Sequence, residues 1–314
     1  MDKEMLRAKF LGSLVGTAVG DGVGAGFEGR RAAETEAIEA VSDRREILVY
    51  TDDTHMMIGV AESLVQKKGF DGEHMAHIFM RNYEREPWRG YGPGPPRIFQ
   101  MIKAGEVWNK AAERLYHGGS FGNGSAMRIA PVGVLYYDDL AELREVACES
   151  SQITHSHELG KEGAALQAYA VALAVSLEPA KAFDSSEFLA RLGEFVQHEV
   201  YRQKLARIGG LLGGADINKV VAELGNGIEA FNSVTTAIYS FLSHTHSFEE
   251  AILFAVSLGG DTDTIAAMTG AISGAYLGIS SIPDKWLCKV ENRAYIEELA
   301  ERLYDIRVRR QRGR

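Results

Sequence analysis

From end to end, the apolar residues of this chain recur at intervals of three and four: Ala61, Leu64 and Val65; Leu166, Tyr169, Ala170 and Leu173; Ala251, Phe254, Ala255 and Leu258. That spacing lines one face of a helix. Strand candidates such as Glu46 to Tyr50 are isolated, and a lone strand has no sheet to join, so the class predicted is all-α. With 314 residues, 46% of them apolar, the chain can enclose a large core. No fixed-period repeat or low-complexity linker divides it, and one domain is expected over residues 1–314. Glycine supplies the punctuation, at Gly20 to Gly24, Gly90 to Pro96, Gly118 to Gly124, Gly209 to Gly214 and Gly259-Gly260. These stretches read as helix breaks or close-approach loops. The basic run from Arg307 to Arg314 reads as a frayed, solvated helix end.

A formal net charge of -9 argues against a surface for duplex DNA or long RNA, whose affinity comes mainly from Lys and Arg neutralising phosphates. A small anionic ligand stays possible, because backbone N–H groups at helix starts and glycine turns bind phosphate without net basic charge. Cys148 and Cys288 lie far apart and neither sits in a Cys-x-x-Cys or Cys/His pair, which argues against a disulfide framework or structural zinc. The apolar run from Phe10 to Val19 is short, interrupted by Gly12 and Gly16, and preceded by Asp2 and Glu4, unlike a secretory leader. No stretch approaches the roughly 20 apolar residues of a membrane span. A cytoplasmic protein without membrane partners is the expectation.

Two acidic segments carry the chemistry. Tyr50-Thr51-Asp52-Asp53-Thr54 and Gly259-Gly260-Asp261-Thr262-Asp263-Thr264 each precede a helical pattern. Asp and Thr cap helix N-termini, and capping is one reading of both segments. A cap needs one side chain, however, and each segment offers two carboxylates with hydroxyls beside them. Were the segments to converge, each close carboxylate pair would repel by roughly 4 kcal/mol at an effective dielectric near 20, and a cation would have to offset that. The donors are hard oxygens, which favours magnesium, manganese or calcium over zinc. Asp261 and Thr264, three residues apart, are expected to face one way and Asp263 another, toward a second ion. His55, next to the first segment, is expected at the surface.

These two segments resemble the paired signatures of the ADP-ribosylglycohydrolase family, and the resemblance runs in order from about residue 10 to 280. Gly20 to Glu28, Gly119 to Arg128, Gln152 to Ser156 and Asn226-Gly227-Ile228 are similar to its ADP-ribosyl-acceptor hydrolase 3 branch. The resemblance implies a compact orthogonal multi-helix domain with two magnesium ions, manganese being possible, held by Thr51, Asp52, Asp53, Asp261, Asp263 and Thr264. It implies catalytic roles for Glu28, Asp52 and Asp53. It also implies that Gly92, Gly94, Gly119, Ser120, Phe121, Gly122, Asn123 and His155 contact the ligand, the glycine loop admitting a pyrophosphate to backbone N–H groups. Leu115 stands where the branch carries an aromatic residue, which implies either weaker adenine affinity or stacking supplied by Tyr116 or Phe121. The implied activity is hydrolysis of the bond between ADP-ribose and an acceptor: serine-linked protein, poly(ADP-ribose) or O-acetyl-ADP-ribose. Alternatives are an arginine-specific N-glycosidic hydrolase, a non-catalytic ADP-ribose-binding module, or a metal-dependent phosphoesterase.

Overall fold

The first helix, Lys3–Gly24, runs antiparallel to the helix Thr262–Leu277, and the two are in contact through their backbones. A Cβ placed on Gly12, Gly16, Gly20 or Gly24 would meet the carbonyl oxygens of Gly274, Gly270, Ala266 and Thr262 at 2.3, 2.4, 2.1 and 2.5 Å. Steps of four along one helix match steps of four back along the other, so a single stripe of small residues meets its partner turn by turn. Only a residue without a Cβ fits such an approach. Gly20 to Gly24 therefore do not break the helix, as their density suggests in the sequence. They stay helical and set its distance from a neighbour.

The computed structural model describes residues 2–214 and 216–312. Among the described residues there are helices and no strands, and Leu48, in the stretch Glu46 to Tyr50, makes only an isolated bridge to Val290. Thr262–Leu277 is the central element: every residue from Thr262 to Tyr276 is buried, the mark of a helix packed on all sides. The first helix, Glu158–Ser176, Ala230–Ser243 and Phe248–Ser257 surround it. One hydrophobic core extends from Leu6 to Leu303. Among the described residues no helix is long and apolar enough to cross a membrane.

At the C-terminus the expected frayed end is corrected by a docked helix, Arg293–Arg312. Arg307 is buried, pairs with Asp138 and lies over the Tyr137 ring at 5.3 Å. Arg310 reaches Glu142 at 3.0 Å and the Lys68 carbonyl at 3.1 Å. Acidic and carbonyl partners on neighbouring helices hold these guanidinium groups, which local composition could not reveal. Residues 313–314 of the run lie outside the described residues.

The glycine stripe gives a direct stability test. A Cβ on Gly270 would lie 2.1 Å from the Gly16 carbonyl oxygen, whereas one on Gly193, in the helix Ser185–Phe195, meets nothing within 4 Å. Gly270→Ala is expected to destabilise by about 2 kcal/mol or more through overpacking. Gly193→Ala should stabilise by roughly 0.5–1 kcal/mol through helix propensity. Urea denaturation of both variants checks this, and equal effects would contradict the backbone contact.

Candidate functional site

Asp21, a buried carboxylate on the first helix, organises the start of the helix Asp52–Lys67. It accepts from the Thr51 and Thr54 amides at 3.0 Å and from their hydroxyls at 2.9 and 2.6 Å. Thr51 is the N-cap of that helix, its hydroxyl accepting from the Asp53 amide at 3.4 Å. Asp52 and Asp53 are thus spared from capping. The second segment is similar: Asp261 occupies the N-cap of Thr262–Leu277, yet its side chain makes no cap bond. Capping does not account for either pair of carboxylates.

Because the first helix and Thr262–Leu277 are antiparallel neighbours, the end of one lies beside the start of the other. The turn after Gly24 carries Glu28 to this junction, where two backbone bonds hold the residues that follow it: Gly29 N–H donates to the Gly260 carbonyl at 2.8 Å, and Gly260 N–H to the Arg30 carbonyl at 2.9 Å. Gly260 makes that exchange at φ +75°, directly after Gly259 at φ +69°, and both conformations favour glycine. Carboxylate oxygens of Glu28, Asp261 and Asp263 then lie within 4.8 Å of one another. Asp263 does not diverge from Asp261 as helical spacing suggests. Asp261 has φ -86° and ψ 66°, outside the helical region, so the rotation of 100° per residue does not apply across it. Thr264 donates its amide to Asp263 at 2.9 Å, and Asn123 donates its side-chain amide to Asp261 and to Ser233.

The cluster lines a cavity of about 320 Å³. Of the residues singled out in the sequence, it is lined by Glu28, Thr51, Asp52, Asp53, Asp261, Asp263 and Thr264 at the acidic end. Gly92, Gly94, Ser120, Gly122, Asn123 and His155 complete the wall. Gly119 and Phe121 do not line it. The loop runs extended into a bridge between Gly122 and Glu229, so alternate residues face opposite ways. Ser120 and Gly122 face the cavity, while the half-exposed Phe121 ring lies 5.5 Å from His157 and 6.2 Å from Phe231. Tyr116 lines the cavity; Leu115 packs on the core. His55, expected at the surface, is buried, bonded through Nδ1 to the Tyr91 hydroxyl at 2.9 Å and stacked on Tyr50. Residues not singled out for the site include Asp21, Gly90 and Thr154; Asp21 sits inside a motif read for its glycines.

Electrostatics point to a cation. Burial, reinforced by neighbouring carboxylates, pushes Asp52 up to about 7 and Asp263 up to about 9, and raises Asp53 well above the usual carboxylate range. Burial also raises Asp21 and Asp261, partly opposed by the hydrogen bonds each accepts. One oxygen of Asp53, Oδ1, is buried without a hydrogen-bond partner, a costly state that a bound cation would relieve. Oxygen donors alone converge here, and they suit a hard divalent ion. Glu28, Asp261 and Asp263 could hold an ion together, and Thr51, Asp52, Asp53 and Thr264 line the same cavity.

The sign of the pH effect follows. Native pKa values above those of the unfolded chain mean that the cation-free protein holds extra protons, so its stability falls as pH rises from about 4 through 7 toward 9. A cation removes that penalty. The rise in Tm on adding magnesium should accordingly be larger at pH 8 than at pH 6, and scanning fluorimetry that shows equal gains would contradict it. Asp263→Asn should weaken cation binding by tenfold or more, on the order of the loss for an ionised ligand, with the helical circular dichroism spectrum kept.

Comparison with known proteins agrees with this geometry. The family model described as ADP-ribosylglycohydrolase matches residues 2–313. The chain is 36% identical to human ADP-ribosylhydrolase ARH3, the match covering 95% of this chain and 93% of that protein. It is 26% identical to the ADP-ribosylarginine hydrolase Tri1 of Pseudomonas putida, across 95% of this chain and 78% of that one. A solved structure titled "ADP-ribosylglycohydrolase-related protein complex" superposes with a TM-score of 0.77 at 26% identity, covering 96% of this chain and 99% of that one. The chain belongs to the ADP-ribosylglycohydrolase family and is, by that membership, a glycosyl hydrolase.

Proposed function

We propose that this ADP-ribosylglycohydrolase releases ADP-ribose from an O-glycosidic linkage, in serine-modified protein, poly(ADP-ribose) or O-acetyl-ADP-ribose, with two magnesium ions, or manganese, at the carboxylate cluster. The observation that carries the reading is the convergence of Glu28, Asp52, Asp53, Asp261 and Asp263 on one cavity that Gly92, Gly94, Ser120, Gly122 and His155 also line. When bound, divalent ions there supply Lewis-acid polarisation and charge neutralisation. The greater identity to ARH3 than to the arginine-specific relative supports the O-linked assignment over the N-linked one.

This chain's own residues divide the remaining work. Glu28 is the exposed member of its carboxylate group, and the backbone bonds of Gly29 and Arg30 to Gly260 hold its segment beside the cluster. It is placed to move a proton to or from the reacting oxygen. Asn123 orients Asp261, and Asp21 holds Thr51 and Thr54 so that the acidic pair beside them faces the cavity. Ser120, Gly122 and His155, in the same lining, supply polar groups and close backbone approach for the diphosphate. The formal charge of five carboxylates against two divalent ions leaves one negative charge, and Asp21, if ionised, adds a second. Such an excess favours a sugar carbon that gains positive character as its glycosidic bond breaks.

Incubation with serine-linked and arginine-linked ADP-ribosyl peptides, first with magnesium and then with chelator, tests the assignment. Release from the serine-linked peptide, abolished by chelator, is expected; cleavage of the arginine-linked peptide alone would reject it for the N-glycosidic alternative. Tight binding of ADP-ribose without turnover of either would mark a reader module. Glu28→Gln is expected to slow turnover by about 10²–10⁴-fold while ADP-ribose binding is largely kept.

A further inference from the structure

We propose that Arg128 is a positioning residue that acts through Thr154 to fix His155 in the tautomer carrying its proton on Nε2, the nitrogen that serves the ligand as a donor. The proposal rests on the reading of the cavity as an ADP-ribose site.

Arg128 is fully buried, and among the described residues no ion pair includes it. Its guanidinium lies over the Phe79 ring at 4.7 Å and donates to the Gly124 and Ser150 carbonyls, each at 3.1 Å. A guanidinium has donors and no acceptor. Its bond to the Thr154 hydroxyl at 2.9 Å therefore has one possible direction, with Thr154 accepting. The same hydroxyl lies 2.8 Å from His155 Nδ1. A hydroxyl has one proton, and among the described residues that of Thr154 has no acceptor other than Nδ1, which assigns it to this contact with Nδ1 accepting. A neutral imidazole that accepts at Nδ1 carries its hydrogen on Nε2.

The other edge of the ring faces the ligand side. His155 lines the cavity, and Nε2 lies 3.5 Å from where a Cβ on Gly122 would stand and 2.9 Å from one on Gly124. Glycine at 124 leaves the space that the imidazole fills. Burial, together with the Arg128 charge, lowers His155 to about 3, so the ring is neutral through the physiological range. The chain thus presents a neutral donor to an acceptor oxygen of an anionic ligand, and the buried charge behind it favours that anion without touching it. Arg128 also grips Gly124 and Ser150, so one side chain holds the glycine loop and the His155 segment together.

Thr154 is buried, and Thr154→Val keeps its shape while removing the hydroxyl relay. Two-bond ¹H–¹⁵N correlation spectra of the ligand-free protein report the tautomer directly. The Nε2–H pattern is expected in the wild type from pH 5 to 8. Thr154→Val should lose it and bind ADP-ribose about tenfold more weakly, the scale of one lost hydrogen bond, with magnesium affinity unchanged and both readouts restored in Thr154→Ser. An Nδ1–H pattern in the wild type, or a valine variant with unchanged tautomer and affinity, would overturn the proposal. The spectrum is read without ligand or turnover, so it judges the relay alone. Failure of the wild type to bind ADP-ribose would instead remove the cavity reading, and the donor's ligand with it.

Discussion

Backbone contact between the first helix and Thr262–Leu277 is the constraint on which the rest depends. Two helices that touch carbonyl to glycine along several turns cannot slide or tilt far without steric overlap. Their antiparallel alignment therefore fixes how the end of one meets the start of the other. Asp21 and Glu28 come from the first partner, Asp261 and Asp263 from the second, and Asp21 in turn secures Thr51 to Thr54. A pair of helices that shares no chemistry with the substrate thus determines the positions of the acidic side chains.

The cost of that arrangement is electrostatic. Desolvation and mutual repulsion raise the carboxylates together, and the partnerless Asp53 Oδ1 shows that protein groups alone do not satisfy the cluster. The positive ends of two helices, Asp52–Lys67 and Thr262–Leu277, oppose the repulsion in part. Such a centre suits a cation better than a proton, because a divalent ion offsets several carboxylates at once. Local instability and the capacity to bind a cation have the same cause.

Elsewhere in the lining the polarity is reversed. Arg128 places a buried positive charge behind Thr154, His155 and Gly124, while the carboxylates gather about Asp261 and Asp263. A ligand with a neutral sugar at one end and a diphosphate farther along would experience each environment in the appropriate place. Specific recognition then needs little net basic charge, which agrees with a chain whose formal charge is -9.

By itself, the sequence determined the helical class, through apolar spacing, and the two acidic segments, through the excess of carboxylates over what capping can use. Both are local properties, written within a few turns of chain. Tertiary structure decided the rest. Whether Gly20 to Gly24 end a helix or press it against another depends on a neighbour some 240 residues away, Thr262 lying opposite Gly24. Asp21 looked like one residue in a glycine run because the threonines it anchors are remote, and His55 looked exposed because Tyr91 was not yet beside it. Arg307 and Arg310 read as a solvated tail for the same reason. In each case burial and charge pairing are relations between distant segments, and only packing brings their two sides together.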